Sequence, residues 1–220
     1  MITPGRASAP ASAPSAASVA AAAGDATDAI TPDTKDWTWV LLRACPDCGL
    51  DTPAVAREDI AGLVRGNASA WQVVLAGDEA EVRRRPRPEV WSALEYACHV
   101  RDVFRLFRLR LDLMLDQEGP LFANWDQDAT AVAERYAQQD PAVVAGELAE
   151  AAEMLALGFE GVRGEQWQRT GDRSDGARFT VESFSRYLIH DPLHHLYDVT
   201  GERLQAAPAP APAPEAQDRA

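Results

Sequence analysis

The side chains best suited to chemistry in this chain are its histidines. Three of the four, His190, His194 and His195, fall within six residues of the segment RYLIHDPLHHLYDV, and the fourth, His99, stands upstream in WSALEYACHVRDV. Imidazole nitrogen is a good ligand for zinc, nickel or iron(II). Residues four apart lie on one helix face a turn apart, so His190 and His194 can chelate a single ion. On a wheel of about 100° per residue His194 lies about 40° from His190, on a polar stripe with Ser183, Arg186, Tyr187 and Tyr197. His195 points about 140° away. His99 is the available third leg if its helix packs beside the last one. Three neutral imidazoles leave the ion's charge uncompensated and positions open, the condition under which a metal lowers the pKa of a bound water or thiol. A single His-x-x-x-His is a weak signal, more often helix surface or hydrogen-bonded core than a ligand pair.

The neighbouring residues supply candidates for orienting ligands or substrate. Glu95 lies one turn before His99 and Asp102 nearly one turn after, so either could accept the ring's other proton, although Glu95 also sits where a helix cap belongs. Arg186 could hold a carboxylate. Tyr187, Tyr197 and His195 border the stripe, His195 as a core or supporting histidine. Asn124, Trp125 and Asp126 sit on the loop after the second helix, where a lid could form. Separately, Cys45 and Cys48 in CPDCG form a Cys-x-x-Cys, which can be a redox pair, half of a zinc site, or an ordinary buried turn. A four-donor site needs two more ligands, and Cys98 is the only other thiol in the chain. No βαβ pattern supports a thioredoxin-like context.

These residues need helices to place them. The stretch 52–77 carries Val55, Ile60, Leu63, Val64, Trp71 and Val74 at helical spacings, with Thr52 as the expected cap and Pro53 as the first helical residue. Residues 83–91, RRRPRPEVW, read as a Pro-broken connection. Ser92-Ala-Leu-Glu95 is a capping-box pattern opening a second helix that stops near Gly119-Pro120. A loop with FANWDQD, a short helical run to about residue 138, and a long helix after Asp140-Pro141 follow. The Gly/Asp-rich TGDRSDGARF then leads to a last helix capped by Thr180. Pro192 removes one backbone bond from that helix, and a kink rather than a break is expected. No segment alternates well enough to form a sheet, so the expected fold is all-α, a bundle of four main helices. Its limits read as residues 53–204, preceded by a Trp- and Cys-bearing lead-in at 35–52 in which Trp37, Trp39, Val40 and Leu41 pack onto the bundle. Residues 1–34 and 205–220 are Ala/Pro-rich and read as disordered tails.

The bulk properties exclude some classes. A net charge of −13 and a pI of about 4.7, without a basic stripe, oppose nucleic-acid binding. No apolar run approaches a membrane span, and the N-terminal Ala run is too broken by Pro, Ser and Asp to serve as an export signal. Three cysteines make no disulfide framework, so a reducing cytoplasm is the expected compartment. Leu- and Phe-rich helix faces leave a homodimer open.

WSALEYACHV followed by the distant YLIHDPLHHLYDV, in a helical chain, resembles the DinB-like superfamily over roughly residues 55–200. The resemblance implies a four-helix bundle holding a divalent ion through one histidine on the second helix and a His-x-x-x-His pair on the last. Carried onto this sequence, the implied ligands are His99, His190 and His194, with zinc, nickel or iron as the metal. Relatives include mycothiol-dependent maleylpyruvate isomerase and bacillithiol transferases. The implied activity is therefore metal-dependent transfer or isomerisation with a small thiol such as mycothiol and an electrophile as partners. The alternative is a non-catalytic, stress-associated binding protein whose metal is structural.

Overall fold

The fold is that of a computed structural model, which describes residues 30–32 and 35–203. Four long helices make the body: α1 (Ile60–Leu75), α3 (Ala93–Asp116), α5 (Pro141–Gly161) and α6 (Val181–Thr200), with short α2 (Glu79–Arg83) and α4 (Gln127–Ala133) in the connections. No helix among the described residues is long and apolar enough to cross a membrane. The expected tails fall almost wholly outside the described residues. At the end of the first, Ile30 packs against the core and the Thr31 amide donates to the Glu89 carbonyl.

The helix starts follow their local chemistry. Ser92 accepts from the Glu95 amide while Glu95 accepts from the Ser92 amide, the reciprocal cap that the sequence pattern predicts. Asp140 accepts from the amides of Ala142 and Val143 ahead of α5, whose first residue is Pro141. Thr180 accepts from the Ser183 amide to open α6, which ends on Gly201 at φ +71°. α6 runs unbroken through Pro192. The Pro192 carbonyl accepts a 2.8 Å bond from Asn67 Nδ2 on α1.

The first helix begins later than expected. Residues 52–54 and 57–59 are short 3₁₀ turns, with extended backbone at Val55 and Ala56, and the α-helix starts at Ile60. Tertiary bonds explain the interruption. The Thr52 hydroxyl donates to the Val40 carbonyl instead of capping, and Arg186 Nε donates to the Val55 carbonyl at 3.0 Å. From Ile60 onward the buried positions Val64, Ala68, Trp71 and Leu75 keep one helix face.

Each long helix packs mainly against two others: α1 lies against α5 and α6, and α3 lies against α5 and α6, with α1 and α3 meeting only briefly. The consecutive pairs α1/α3 and α5/α6 are therefore the diagonals of the bundle. Trp71, Phe104, Leu111, Leu148, Leu155, Leu188 and Ile189 fill the space between the helices, all essentially without solvent exposure.

The structure also contains a small sheet that the sequence pattern does not announce. β2 (Thr170–Arg173) and β3 (Arg178–Thr180) form an antiparallel hairpin within TGDRSDGARF, with Gly176 at φ +96° in the turn. β1 (Leu121–Phe122) adds to β2 in parallel. These strands, two to four residues long, are too short to register as an alternation. Their pairing ties the loop after α3 to the connection before α6, close to the start of the loop that carries Trp125.

Candidate metal centres

α6 carries two donor pairs spaced four apart, offset by a single residue: His190 with His194, and Asp191 with His195. One residue turns a helix by about 100°, so the pairs face different neighbours. The sequence-based set His99, His190 and His194 is accordingly divided between two groups. His99 meets Asp191 and His195, while His190 and His194 meet Cys45 and Cys48. Within each group the donor atoms lie within 4.8 Å of one another.

In the first group His99 projects from the buried face of α3 and is fully buried. Its Nε2 lies 3.4 Å from Asp191 Oδ1, and His195 Nε2 lies 3.7 Å from Asp191 Oδ2. A histidine nitrogen and a carboxylate oxygen bound tetrahedrally to one zinc ion sit about 3.4 Å apart. His195 Nδ1 is 3.0 Å from Asp198 Oδ2, the carboxylate–imidazole contact that fixes a ligand ring. Both nitrogens of His99, and Oδ1 of Asp191, are buried and make no hydrogen bond. A buried polar atom without a partner is costly, and an ion shared by these atoms would satisfy them, so the residues fit a divalent metal. Burial alone would raise the Asp191 carboxyl, but the imidazoles of His195 and His99 outweigh it and hold it well below the usual range. Aromatic rings wall the group: Trp125 stacks on His99 at 5.3 Å, Trp91 lies 5.3 Å from it, and Tyr96 lies 4.8 Å from His195.

In the second group Cys45 Sγ lies 3.6 Å from His194 Nδ1. His194 Nε2 is 3.6 Å from Asp198 Oδ1, so Asp198 touches a histidine of each group. His190 Nε2 is buried without a hydrogen bond. Burial, reinforced by the neighbouring His194, pulls His190 down to about 4, which leaves it a neutral imidazole at pH 7. Trp37 covers both rings at 5.2 Å.

The other sequence candidates serve the scaffold. Glu95 is buried as the cap of α3 and accepts from Arg85 Nε at 2.9 Å, so it does not orient His99. Asp102 accepts from the Tyr136 hydroxyl at 2.6 Å and pairs with Arg101. Arg186 holds the Val55 carbonyl and Glu182. The Tyr187 hydroxyl accepts from Arg173, and its ring packs on Phe179. Tyr197 borders His194 at 6.1 Å. Of the loop residues, Trp125 reaches His99, its Nε1 anchored on Thr130, while Asp126 caps α4. The donor that sequence reasoning missed is Asp191. Its signal was present, an Asp-x-x-x-His at the same spacing as the histidine pair.

A family model described as the DinB superfamily matches residues 63–199. That span holds His99 and all four donors of α6, and it begins after Cys45 and Cys48. Among solved structures, YfiT from Bacillus subtilis is described as a probable metal-dependent hydrolase with an unusual four-helix bundle topology. It aligns with a TM-score of 0.61 and 16% identity, covering 67% of this chain and 87% of that one. No curated protein matches. At this identity the likeness to YfiT speaks for the fold.

Proposed function

The chain belongs to the DinB superfamily, and from that membership and the buried donor group on α3 and α6 we propose that it is a metal-dependent enzyme whose centre is His99, Asp191 and His195. The carrying observation is the convergence of three donors, several of their atoms buried without hydrogen bonds, on one point between two helices. A divalent ion held there supplies a Lewis acid that lowers the pKa of a thiol or water at an open position. Two neutral imidazoles and one carboxylate leave a net single positive charge, which favours an anionic partner such as a thiolate. The reaction proposed is transfer or isomerisation with a mycothiol-type thiol as co-substrate and a small electrophile as acceptor.

The chain's own residues prepare the place. Asp198 holds the His195 ring through Nδ1, leaving Nε2 to face Asp191. The Asp191 side chain is 36% exposed overall, although its Oδ1 and both His99 nitrogens are buried. Trp125 covers His99 and on its other side lines a surface cleft of about 410 Å³ with Arg105, Leu106, Leu109 and Glu134, in which none of the three donors takes part. Water activation is the second reading, favoured by the description of YfiT as a hydrolase. The non-catalytic reading calls for a fourth protein donor, and among the described residues this group offers three.

The test compares metal content and turnover of the wild type with His99→Ala and His195→Ala. Assays use low-molecular-weight thiols with maleyl and chlorinated electrophiles, and separately ester and amide hydrolysis. Both variants should lose one equivalent of metal and fall to background turnover. Retention of full metal in both would remove the centre. Turnover in the hydrolysis assays alone would replace thiol transfer with water activation.

A further inference from the structure

We propose that Cys45, Cys48, His190 and His194 form a second, closed zinc site, structural in role, that fastens the lead-in segment before α1 to α6. This site shares no donor with the His99 group, although Asp198 touches both, and its donors come partly from residues that precede the family-matched span.

The geometry meets the requirements of zinc. For bonds of about 2.3 Å to sulfur and about 2.0–2.1 Å to nitrogen, a tetrahedral ion separates the two donors by about 3.6 Å. Cys45 Sγ and His194 Nδ1 stand 3.6 Å apart. All four donor atoms fall within 4.8 Å of one another. The local backbone is shaped as a knuckle. The Cys45 amide donates to the Leu50 carbonyl at 2.8 Å, the Gly49 amide donates back to the Cys45 carbonyl at 3.0 Å, and Gly49 takes φ +83°. That left-handed turn lets both thiols face the same side, and only glycine adopts it without strain. Two thiolates and two neutral imidazoles cancel the charge of a divalent ion, so the complex can sit in the interior. The burial agrees: Cys45, Cys48 and His190 are each at most 4% exposed.

A redox role fits less well. Neither cysteine is in a disulfide in this structure. The thiols also face two histidines from another element, which a redox pair does not require and a four-donor metal site does.

The experiment uses the full-length protein and two readouts that do not depend on turnover. Metal analysis should give two equivalents of divalent metal in the wild type, one of them zinc that dialysis does not remove. Cys45→Ser and Cys48→Ser should each lose that zinc, while His99→Ala keeps it and loses the other equivalent. The same cysteine variants with unchanged zinc would overturn the proposal. Since a cysteine variant can fail to fold, the unmutated protein is also loaded with cobalt(II). A near-ultraviolet thiolate-to-cobalt charge-transfer band with intense tetrahedral visible bands is expected, and it should persist in His99→Ala. Absence of the charge-transfer band, or a mass showing a Cys45–Cys48 disulfide in freshly purified protein, would overturn the proposal and leave the His99 centre standing.

Discussion

Asp198 is the residue on which both centres lean. Its two oxygens lie 3.0 Å from His195 Nδ1 and 3.6 Å from His194 Nε2. Carboxylates in this position fix ring orientation and raise ligand basicity, and their loss costs roughly 10–100-fold in metal affinity. Asp198→Asn should therefore weaken both centres within that range, measured by competition with a chromogenic chelator. Weakening of only one would show that a single contact matters. The same residues show what the sequence could and could not convey. A pair of histidines four apart is legible, and so is the need for His99. The phase of α6 is not. A rotation of one residue decides whether the 190/194 pair or the 191/195 pair faces α3, and that rotation is set by packing of Leu188, Ile189 and Leu193 in the core. Asp191 stands four residues before His195, a donor spacing that the histidine pair beside it masks in the sequence.

Elements set by strong local chemistry were legible, and elements set by tertiary contact were not. The cap of α3 is the clearest case of the first kind. Glu95 is buried, bonded to the Ser92 amide and paired with Arg85. Burial raises its pKa, but Arg85 and Ser92 together outweigh that and leave it lowered from 4.5. A carboxyl depressed in the folded state adds stability above its unfolded pKa and loses it as pH falls through the folded one. Glu95→Ala should cost about 3–5 kcal/mol at pH 7, because it removes the buried carboxylate that both pairs with Arg85 and caps α3. The gap from wild type should narrow as pH drops below about 4.5, as urea unfolding across pH would show. The hairpin before α6 is the second kind. A side chain at Gly171 would run into the Phe122 ring and lie 2.9 Å from Met114 Cγ, so the strand depends on a residue of low strand propensity. Gly171→Ala should destabilise by about 1–3 kcal/mol without altering metal content, because the clash lies away from both donor groups.

At the scale of the whole molecule, the bundle places consecutive helices α5 and α6 on a diagonal, so α6 is held by α1, α3 and the lead-in segment rather than by the helix before it. Asn67 bonds it from α1, His99 faces it from α3, and the Cys45–Cys48 knuckle faces it from the segment at 37–50. An ion in each group would then bind the folded arrangement far better than the unfolded chain and stabilise by mass action. One site at a free metal concentration of 100 times its Kd adds about 2.7 kcal/mol, less whatever the unfolded thiols bind. Zinc added back to chelator-stripped wild type at that ratio for both sites should therefore raise the unfolding free energy by about twice that amount. Cys45→Ser should gain only the single-site increment, through the His99 centre, and His99→Ala only the increment of the knuckle. Hydrogen exchange locates the effect. Removal of metal should speed exchange in residues 37–50 and in α6 around His190 while leaving α5, which touches neither group, at its original rate. Equal stabilisation of wild type and Cys45→Ser would mean that one ion, not two, locks α6 in phase, and the rotation that brings Asp191 and His195 to His99 would then rest on helix packing alone.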